Sequence, residues 1–408
     1  DMVRSADGSM RIVADRSQAP SGAGYALENR TVMSRVFPSL FRDSHVHRPS
    51  LYFQRLRAKL TELNPGSDIP RIVMLSPGSY NETYFEQAYL ANYLGLPLVQ
   101  GTDLAVRDGY VWMKALDGLR RVDVILRRVD DNYCDPVELK SDSQLGVPGL
   151  LEVVRMGRVA IANPLGSSVL ENPALLRYMP DIARVFLGRE PRLASVGTFW
   201  CGDPRDREHV LANLSQLVLK PTSRAANIQS VLGTELSQQG LAEWRDKILQ
   251  RPYLYVAQEY LQPSSLPVWH NNALHPRSAI LRSFAVASGS SYSVLPGGLT
   301  RAGLAQGTAL ISNRLGSVSK DTWVLASEPE KQVTLRHEPE AAVQPQAWDR
   351  LGVPSRVVEN VFWVGRYAER SESALRLLRT VFVELHLSLI HISEPTRLKT
   401  RSRMPSSA

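Results

Sequence analysis

The sequence predicts a mixed protein: an α/β part, an α+β part, and the start of a helical domain behind them. Three observations carry this prediction. Between residues 71 and 100 a strand, a helix and a second strand follow at the spacing of a βαβ unit, which implies a parallel sheet. From about Ser195 the texture changes to short apolar strands divided by one helix and by turn residues, the pattern of an antiparallel α+β lobe. Beyond Pro354 a single long amphipathic stretch begins, with an apolar side too broad for a lone helix to bury. At 408 residues and 43% hydrophobic content, the chain has material for more than one core.

In order along the chain, "DMVRSADGSMRIVADRS" reads as a hairpin turning at Asp7-Gly8. The small residues Ser21, Gly22, Ala23 and Gly24 then lead into a helix through "YALENRTVMSRVF" that stops before Pro38. "RIVMLSPG" has the continuous apolar run of a buried strand. "NETYFEQAYLANYLG" offers Asn81 as an N-cap, Phe85, Ala88, Tyr89 and Tyr93 as one face, and Gly95 as a stop. "LPLVQG" is the next strand, "LAVRDGYVWM" a hairpin around Asp108-Gly109, and "VDVILRRV" a further strand. In the second part, "QLVLKP" and "YLYVAQEYL" are apolar strands flanking the helix "LSQQGLAEWRDKILQ", and "RSAILRSFAVAS" with "SYSVLPGGLTRA" forms an antiparallel pair around Gly289. Residues 327–353 are rich in Glu, Pro and Gln without a period and read as a linker. Residues 354–387 are the long helix. Residues 388–408 match neither its period nor any cap pattern, and they read as a non-native tail outside the fold.

Charge and cysteine usage exclude some functions. The formal net charge is +8, but four cations against one carboxylate after Leu387 supply +3 of it, and no Lys/Arg stripe with interleaved aromatics follows a nucleic-acid pattern. No apolar run approaches the ~20 residues of a membrane span. Cys134 and Cys201 form neither a disulfide framework nor a metal spacing, which fits a reducing, cytoplasmic setting.

The candidate site residues stand out by being polar where the pattern is apolar. Lys220 closes the strand "QLVLKP"; a lysine there either snorkels to water or serves an anion such as phosphate. Glu259 in "VAQEYL" ends another apolar strand, where a carboxylate and backbone groups can grip an adenine edge or ribose hydroxyls. Arg282 interrupts "AILRSFAV", on the solvent face or turned inward toward a ligand, and Arg301 follows "PGGLT". Asp15 precedes the glycine loop, where Mg²⁺ needs one or two carboxylates beside phosphate oxygens. The amides of Ser21 to Gly24 at a helix start suit an anion, though Gly-Ala-Gly also serves as a plain corner. Glu28 and Arg30 either pair or stay solvated, and Asp130, Asp131, Asp135 and Glu138 form an acidic loop.

Taken in order, "APSGAGYALENR", "LSPGSYNETYFEQAYLANYLGLPLVQGTDLAVRDG", "VDVILRRVDDNYCDP", "LGVPGLLE", "LPGGLTR" and "SKDTWVL" resemble the circularly permuted ATP-grasp proteins, type 2 branch, from Asp1 to about Leu325. "VENVFWVGRYAERSESALRLLRT" is similar to the start of the alpha-E helical domain. The resemblance implies residues 1–50 as a permuted ATP-grasp segment truncated at its N-terminus, 51–194 as a pre-ATP-grasp-like α/β domain, 195–326 as the ATP-grasp lobe, and 354–387 as the first helix of an incomplete alpha-E domain. It further implies ATP and Mg²⁺ as cofactors and a ligase joining a carboxylate to an amine, with a peptide or amide bond as product. In that reading Lys220, Ser21, Gly22, Gly24 and Arg30 contact the nucleotide, Glu259 lies by its hinge strand, Arg282 and Arg301 face the phosphates or the acyl group, and Asp15 holds the metal.

Two departures open an alternative. Where related permuted proteins have a Glu-Asp-Asn trio, this chain has Ala14, Asp15 and Arg16, a set expected to weaken Mg²⁺ binding. The loop after the lysine strand, "PTSRAANIQSVLG", has one glycine, at Gly233, and "SNRLGSVSKD" is likewise glycine-poor. The alternative is an eroded ATP-grasp scaffold that binds a peptide or a protein partner, the latter through the helical domain.

Overall fold

In the computed structural model, residues 1–64, 66, 69–223, 228–303, 317–327 and 353–392 are described, with side chains through residue 385. The strands Met2–Arg4 and Met10–Ile12 form the expected hairpin, and Asp7 closes it by accepting the Ser9 amide at 2.8 Å. The hairpin has no sheet of its own. Met2 pairs with Leu281, so the hairpin completes a six-stranded sheet ordered Ser317–Asp321, Leu299–Gly303, Ala273–Arg282, Met2–Arg4, Met10–Ile12, with Ser265–His270 also on Ala273–Arg282. One end of the described chain thus finishes a sheet whose remaining strands come from beyond residue 264, which is the topology of a permuted fold.

The βαβ reading holds in the middle of the chain. Leu98–Val99, Ile72–Leu75, Val124–Arg127 and Ala160–Ala162 form a four-stranded, wholly parallel sheet. Its strands are apolar on both faces because both are covered. Ile72, Met74, Val124 and Leu126 meet Ala26, Leu27, Phe53, Leu90 and Leu94 on one side. Val73, Leu75 and Ile125 meet Val111, Met113 and Val122 of the adjoining three-stranded hairpin sheet on the other.

The helix Tyr84–Leu94 is built differently from the sequence expectation. Its N-cap is Thr83, while Asn81 accepts the Thr83 amide at 2.9 Å in a turn before it. Its buried face carries Glu86, Gln87, Leu90, Ala91 and Leu94, and Phe85 is exposed in a stack with Tyr25 and Tyr89. Phe85 is displaced from the buried face by Glu86 and Gln87, while Tyr89 and Tyr93 pack partly buried against the core, Tyr93 edge-on to Phe53. Gly95 does stop the helix, in the left-handed conformation.

A third sheet, antiparallel and ordered Thr198–Trp200, Tyr255–Glu259, Leu217–Pro221, Val231–Leu232, packs one face on Val210, Trp244 and Ile248 of its helices. It is joined to the six-stranded sheet through the backbone: the Ile12 amide donates to Ala194 at 3.0 Å and the Val196 amide to Ile12 at 2.9 Å.

Residues 1–352 and 353–408 are separate units. The second consists, where described, of the helix Ser355–Ile392, on which Val361, Phe362, Tyr367, Leu375, Leu378 and Val381 are exposed. That helix runs five residues past the boundary expected at 387, while most of the expected linker, 328–352, and residues 393–408 of the expected tail lie outside the described residues. Among the described residues no helix is long and apolar enough to cross a membrane.

Candidate functional site

The antiparallel sheet around Lys220 has one apolar and one polar face, and strand alternation fixes which residues share each. Leu217, Leu219 and Ala257 point to the helices, so Val218 and Lys220 point away, and Gln258 lies opposite Val218 on that second face beside Thr198. The side chains form a relay: the Lys220 ammonium donates to Gln258 Oε1, Gln258 Nε2 donates to Thr198 Oγ1 at 3.2 Å, and the Thr198 hydroxyl donates to the Val196 carbonyl at 2.9 Å. Gln258 is a neutral partner. Burial therefore pushes the Lys220 ammonium down to about 8, and Arg16 nearby pushes the same way.

The six-stranded sheet contributes two arginines. Arg282 pairs in register with Leu299 and Arg301 with Ile280, which puts both guanidiniums on one face as diagonal neighbours. Both sit where burial disfavours their charge, and Arg282 adds to that effect on Arg301. Arg282 Nε and Nη2 hold the Asp1 carboxylate at 2.6 and 3.0 Å, its Nη1 donates to the Ser21 carbonyl at 2.9 Å, and Arg16 Nε reaches the same carboxylate at 3.3 Å. Asp1 and Arg16 thus belong to the cluster, although the sequence reading named neither as a cation-site residue.

Residues 13–24 join the three sheets. The segment leaves the backbone bridge at Ile12, carries Asp15 and Arg16 past Lys220 and Arg282, and then fastens to the parallel-sheet domain. The Ser17 and Gln18 amides donate to Glu171 at 2.8 and 2.9 Å, Asn163 Nδ2 donates to the Ser17 carbonyl at 2.6 Å, and the Asp131 amide donates to Gln18 Oε1 at 3.0 Å. Asp15 is half-buried, and that burial pushes its carboxyl above the usual range, with Arg16 opposing.

Two expectations meet a different arrangement here. The amides of Gly22 and Gly24 are not open to an outside phosphate: both donate to Glu86 Oε1, at 2.5 and 3.0 Å. The helix start has its anion, supplied by the chain. Gly22 holds φ 117°, where a Cβ would meet Leu299 and Phe284, and a Cβ on Gly24 would lie 2.7 Å from Glu86 Cγ. Gly24 is required by this carboxylate, and Gly22 by its backbone angle and the side chains around it. Arg30 is likewise committed to structure. Its Nε donates to both oxygens of Asp321 at 3.1 and 2.8 Å, its Nη1 to the His47 carbonyl at 2.6 Å and its Nη2 to the Thr322 carbonyl at 2.8 Å, which clamps the helix to the edge strand. Ser21 lies beside Arg282, its hydroxyl 3.4 Å from Nη1. Glu259 is exposed at its strand end, lying over Gly197, where a Cβ would stand 2.3 Å from its carboxyl carbon.

The structure therefore brings Asp15, Ser21, Lys220, Arg282 and Arg301 to one junction, leaves Glu259 at its strand's end, and removes Gly22, Gly24 and Arg30 to structural duties. Glu86 was missed because a carboxylate on an amphipathic helix reads as solvated, and Gln258 because an amide on an apolar strand carries no charge signal. The acidic loop is also structural in part: Asp131 is paired with the buried Arg127, and Asp135 caps the Gly149 and Leu151 amides at 3.1 and 2.9 Å.

The residues fit a polyphosphate better than a resident metal. Arg16, Lys220, Arg282 and Arg301 are buried or half-buried cations of the kind phosphate oxygens satisfy. Among the described residues no group of three or more His, Cys, Asp or Glu is arranged to hold a metal. Asp15 alone suits an ion that arrives with phosphate oxygens already bound, which is how Mg²⁺ travels with nucleotide.

The permuted topology agrees with the comparisons to known proteins. Residues 1–303 match the circularly permuted ATP-grasp type 2 family. The chain belongs to that family. Residues 353–403 match the alpha-E family, described as a predicted alpha-helical domain with a conserved ER motif, and Glu369-Arg370 lies within that span. An uncharacterized protein of Mycobacterium tuberculosis is 40% identical over 382 residues, which cover 93% of this chain and 42% of the relative. An uncharacterized protein of Synechocystis is 39% identical over 326 residues, covering 80% of this chain and 68% of the relative. The chain thus spans about two fifths of the length of the mycobacterial relative. The fold is similar to that of a glutathione synthetase-like effector from Globodera pallida, solved in the apo form, with a TM-score of 0.53 and 14% identity over 79% of this chain and 74% of that one. The permuted ATP-grasp protein therefore has the mixed α/β and α+β fold class that the sequence resemblance implied.

Proposed function

We propose that this permuted ATP-grasp protein activates a carboxylate as an acyl phosphate and passes the acyl group to an amine. The observation that carries the proposal is the convergence of Lys220, Arg16, Arg282 and Arg301 on the segment that bears Asp15. Cations gathered in partial burial, Arg16 and Arg282 sharing the one Asp1 carboxylate and Lys220 set on a neutral amide, raise the affinity of a junction for a polyanion and stabilise charge that develops on transferring phosphoryl oxygens. Lys220 and Arg16 would hold the triphosphate, Arg282 and Arg301 the transferring phosphoryl group, Asp15 the Mg²⁺, and Glu259 the nucleoside end. MgATP supplies the phosphoryl group and a cation that neutralises it. A substrate carboxylate oxygen bonds to the γ-phosphorus as the bond to ADP breaks; the amine nitrogen then bonds to the acyl carbon as phosphate leaves, and the amine proton goes to solvent.

The test is trapping. Hydroxylamine, a strong small nucleophile, should give a hydroxamate and release ADP from a carboxylic acid panel with MgATP, and Asp15→Asn or Lys220→Met should each reduce the yield at least tenfold. Hydroxamate formation that survives both substitutions would overturn the assignment of these residues.

A second reading has its own support. Because Glu86 fills the loop amides and Asp15 has no second carboxylate grouped with it as a metal site among the described residues, the scaffold also suits a non-catalytic binder of a peptide or protein partner. A chain that binds partner peptide but gives neither ADP release nor MgATP binding would select it.

A further inference from the structure

The parallel sheet has a feature that the phosphate junction does not use. Its strand order places Ile72–Leu75 and Val124–Arg127 side by side, and the chain leaves them in opposite directions: from Leu75 to the strand Leu98–Val99 on one flank, from Arg127 to Ala160–Ala162 on the other. This is a topological switch point, where open parallel sheets form a crevice at the carboxyl ends of their strands. Arg128 stands at that point, its amide donating to the Leu75 carbonyl at 2.7 Å.

The buried arginines around it differ in what their guanidiniums face. Arg127 spends Nε on the Asn163 carbonyl, Nη1 on the Val129 carbonyl, and Nη2 on the Pro164 carbonyl and the Ser167 hydroxyl, at 2.7 to 3.0 Å. Arg30 sets Nε on Asp321, and Arg282 sets Nε and Nη2 on Asp1. Arg128 donates Nη1 to the Pro20 carbonyl, and its Nε is buried with no hydrogen-bond partner among the described residues. A buried donor without a partner is costly, and the Nε edge of a guanidinium is the edge that takes a carboxylate in a two-point grip. Tyr52, buried on the helix Ser50–Glu62, lies close enough to Arg128 for the guanidinium to act on its phenol.

We propose that Arg128, with the Tyr52 hydroxyl beside it, anchors a non-reacting carboxylate of the substrate, so that the acid or the amine joined here carries a second, free carboxylate, as an amino acid or a dicarboxylic acid does. The assignment rests on the ligase reading for its place in the reaction, and on the geometry alone for the anion site. Arg128 and Arg282 hold the consecutive carbonyls of Pro20 and Ser21. The two arginines thus bind adjoining peptides of the segment that links the phosphate junction to the parallel-sheet domain.

The experiment is calorimetry on the intact chain with glutarate, L-glutamate and the uncharged glutaramide as probes, and MgATP titrated separately. Glutarate or L-glutamate should bind and glutaramide should bind at least tenfold more weakly. Arg128→Gln should weaken the acid at least tenfold, Arg128→Lys should weaken it less while keeping a donor for Pro20, and Tyr52→Phe should cost about threefold. MgATP affinity should stay within twofold in all three. Acid binding that is equal in wild type and Arg128→Lys, or no preference for the acids over glutaramide, overturns the site. A parallel loss of acid and MgATP binding in Arg128→Lys would assign Arg128 to supporting Pro20 alone. Failure of MgATP binding with acid binding intact would remove the ligase reading and leave the anion site standing.

Discussion

Two places in this molecule were expected to meet phosphate, and they solve their electrostatics in opposite ways. At the helix start after Pro20, the amides of Gly22 and Gly24 are closed on the carboxylate of Glu86. At the junction of the four-stranded and six-stranded antiparallel sheets, Lys220 is left with the neutral Gln258, and a second cation, Arg16, acts on its charge. The first is a self-satisfied corner that stabilises the fold. The second keeps a charge under desolvation, which costs stability and yields affinity for an incoming anion. The glycine motif was the more visible of the two in the sequence, and it is the less available for chemistry.

Perturbations should separate these two kinds of site. The largest stability effect is expected at Arg30, which belongs with the first kind: Arg30→Ala leaves Asp321 buried without its guanidinium and should cost about 3–5 kcal/mol in denaturant unfolding. Glu86→Ala orphans two buried amides, each worth roughly 1–3 kcal/mol, but also removes the cost of burying the carboxylate, and should lower stability by about 2–4 kcal/mol. Neither change removes a cation from the junction. Lys220→Met should do the reverse. Its unfolding midpoint should not fall, because the substitution removes a desolvated charge whose partner is a neutral amide, while MgATP binding should weaken at least tenfold. A Lys220→Met protein that is markedly unstable, or a Glu86→Ala protein that loses nucleotide at full stability, would break the comparison.

How much of this was legible beforehand follows from what each residue's signal is. The parallel sheet was readable because strands buried on both faces leave unbroken apolar runs, as in Ile72–Leu75. The hairpins at Asp7-Gly8 and Asp108-Gly109 were readable because left-handed backbone selects residues such as Gly8, Asp108 and Gly109. Lys220, Arg282 and Arg301 stood out as charges within apolar strands. Glu86, Glu171 and Arg128 did not, because a charged residue on a helix or at a strand end looks the same whether it meets water or a backbone 64 or 154 residues away. The N-cap at Asn81 and the place of Phe85 were misread for a related reason: the helix turns its polar Glu86 and Gln87 inward to serve the glycine loop and Ser76, and Phe85 outward. The same limit hid the role of Arg30, whose partner Asp321 lies 291 positions further on.

The pH dependence sharpens the account. With the folded Lys220 ammonium depressed to about 8 and the unfolded one near its ordinary 10.5, the cost of burying its charge is fully present below pH 8 and is relieved as pH rises from about 8 to 10.5, so this lysine's contribution to stability improves across that window. Nucleotide affinity should run the other way, level below about pH 8 and falling above it as the ammonium loses its proton.

The most direct measurement is calorimetric titration of MgATP at pH 8.5 in two buffers of different ionisation enthalpy. If the triphosphate lands on Lys220, binding must draw a proton onto the lysine, giving a net uptake in the wild-type chain that disappears in Lys220→Met. MgATP binding at that pH with the same proton balance in both proteins would place the nucleotide elsewhere and contradict the account.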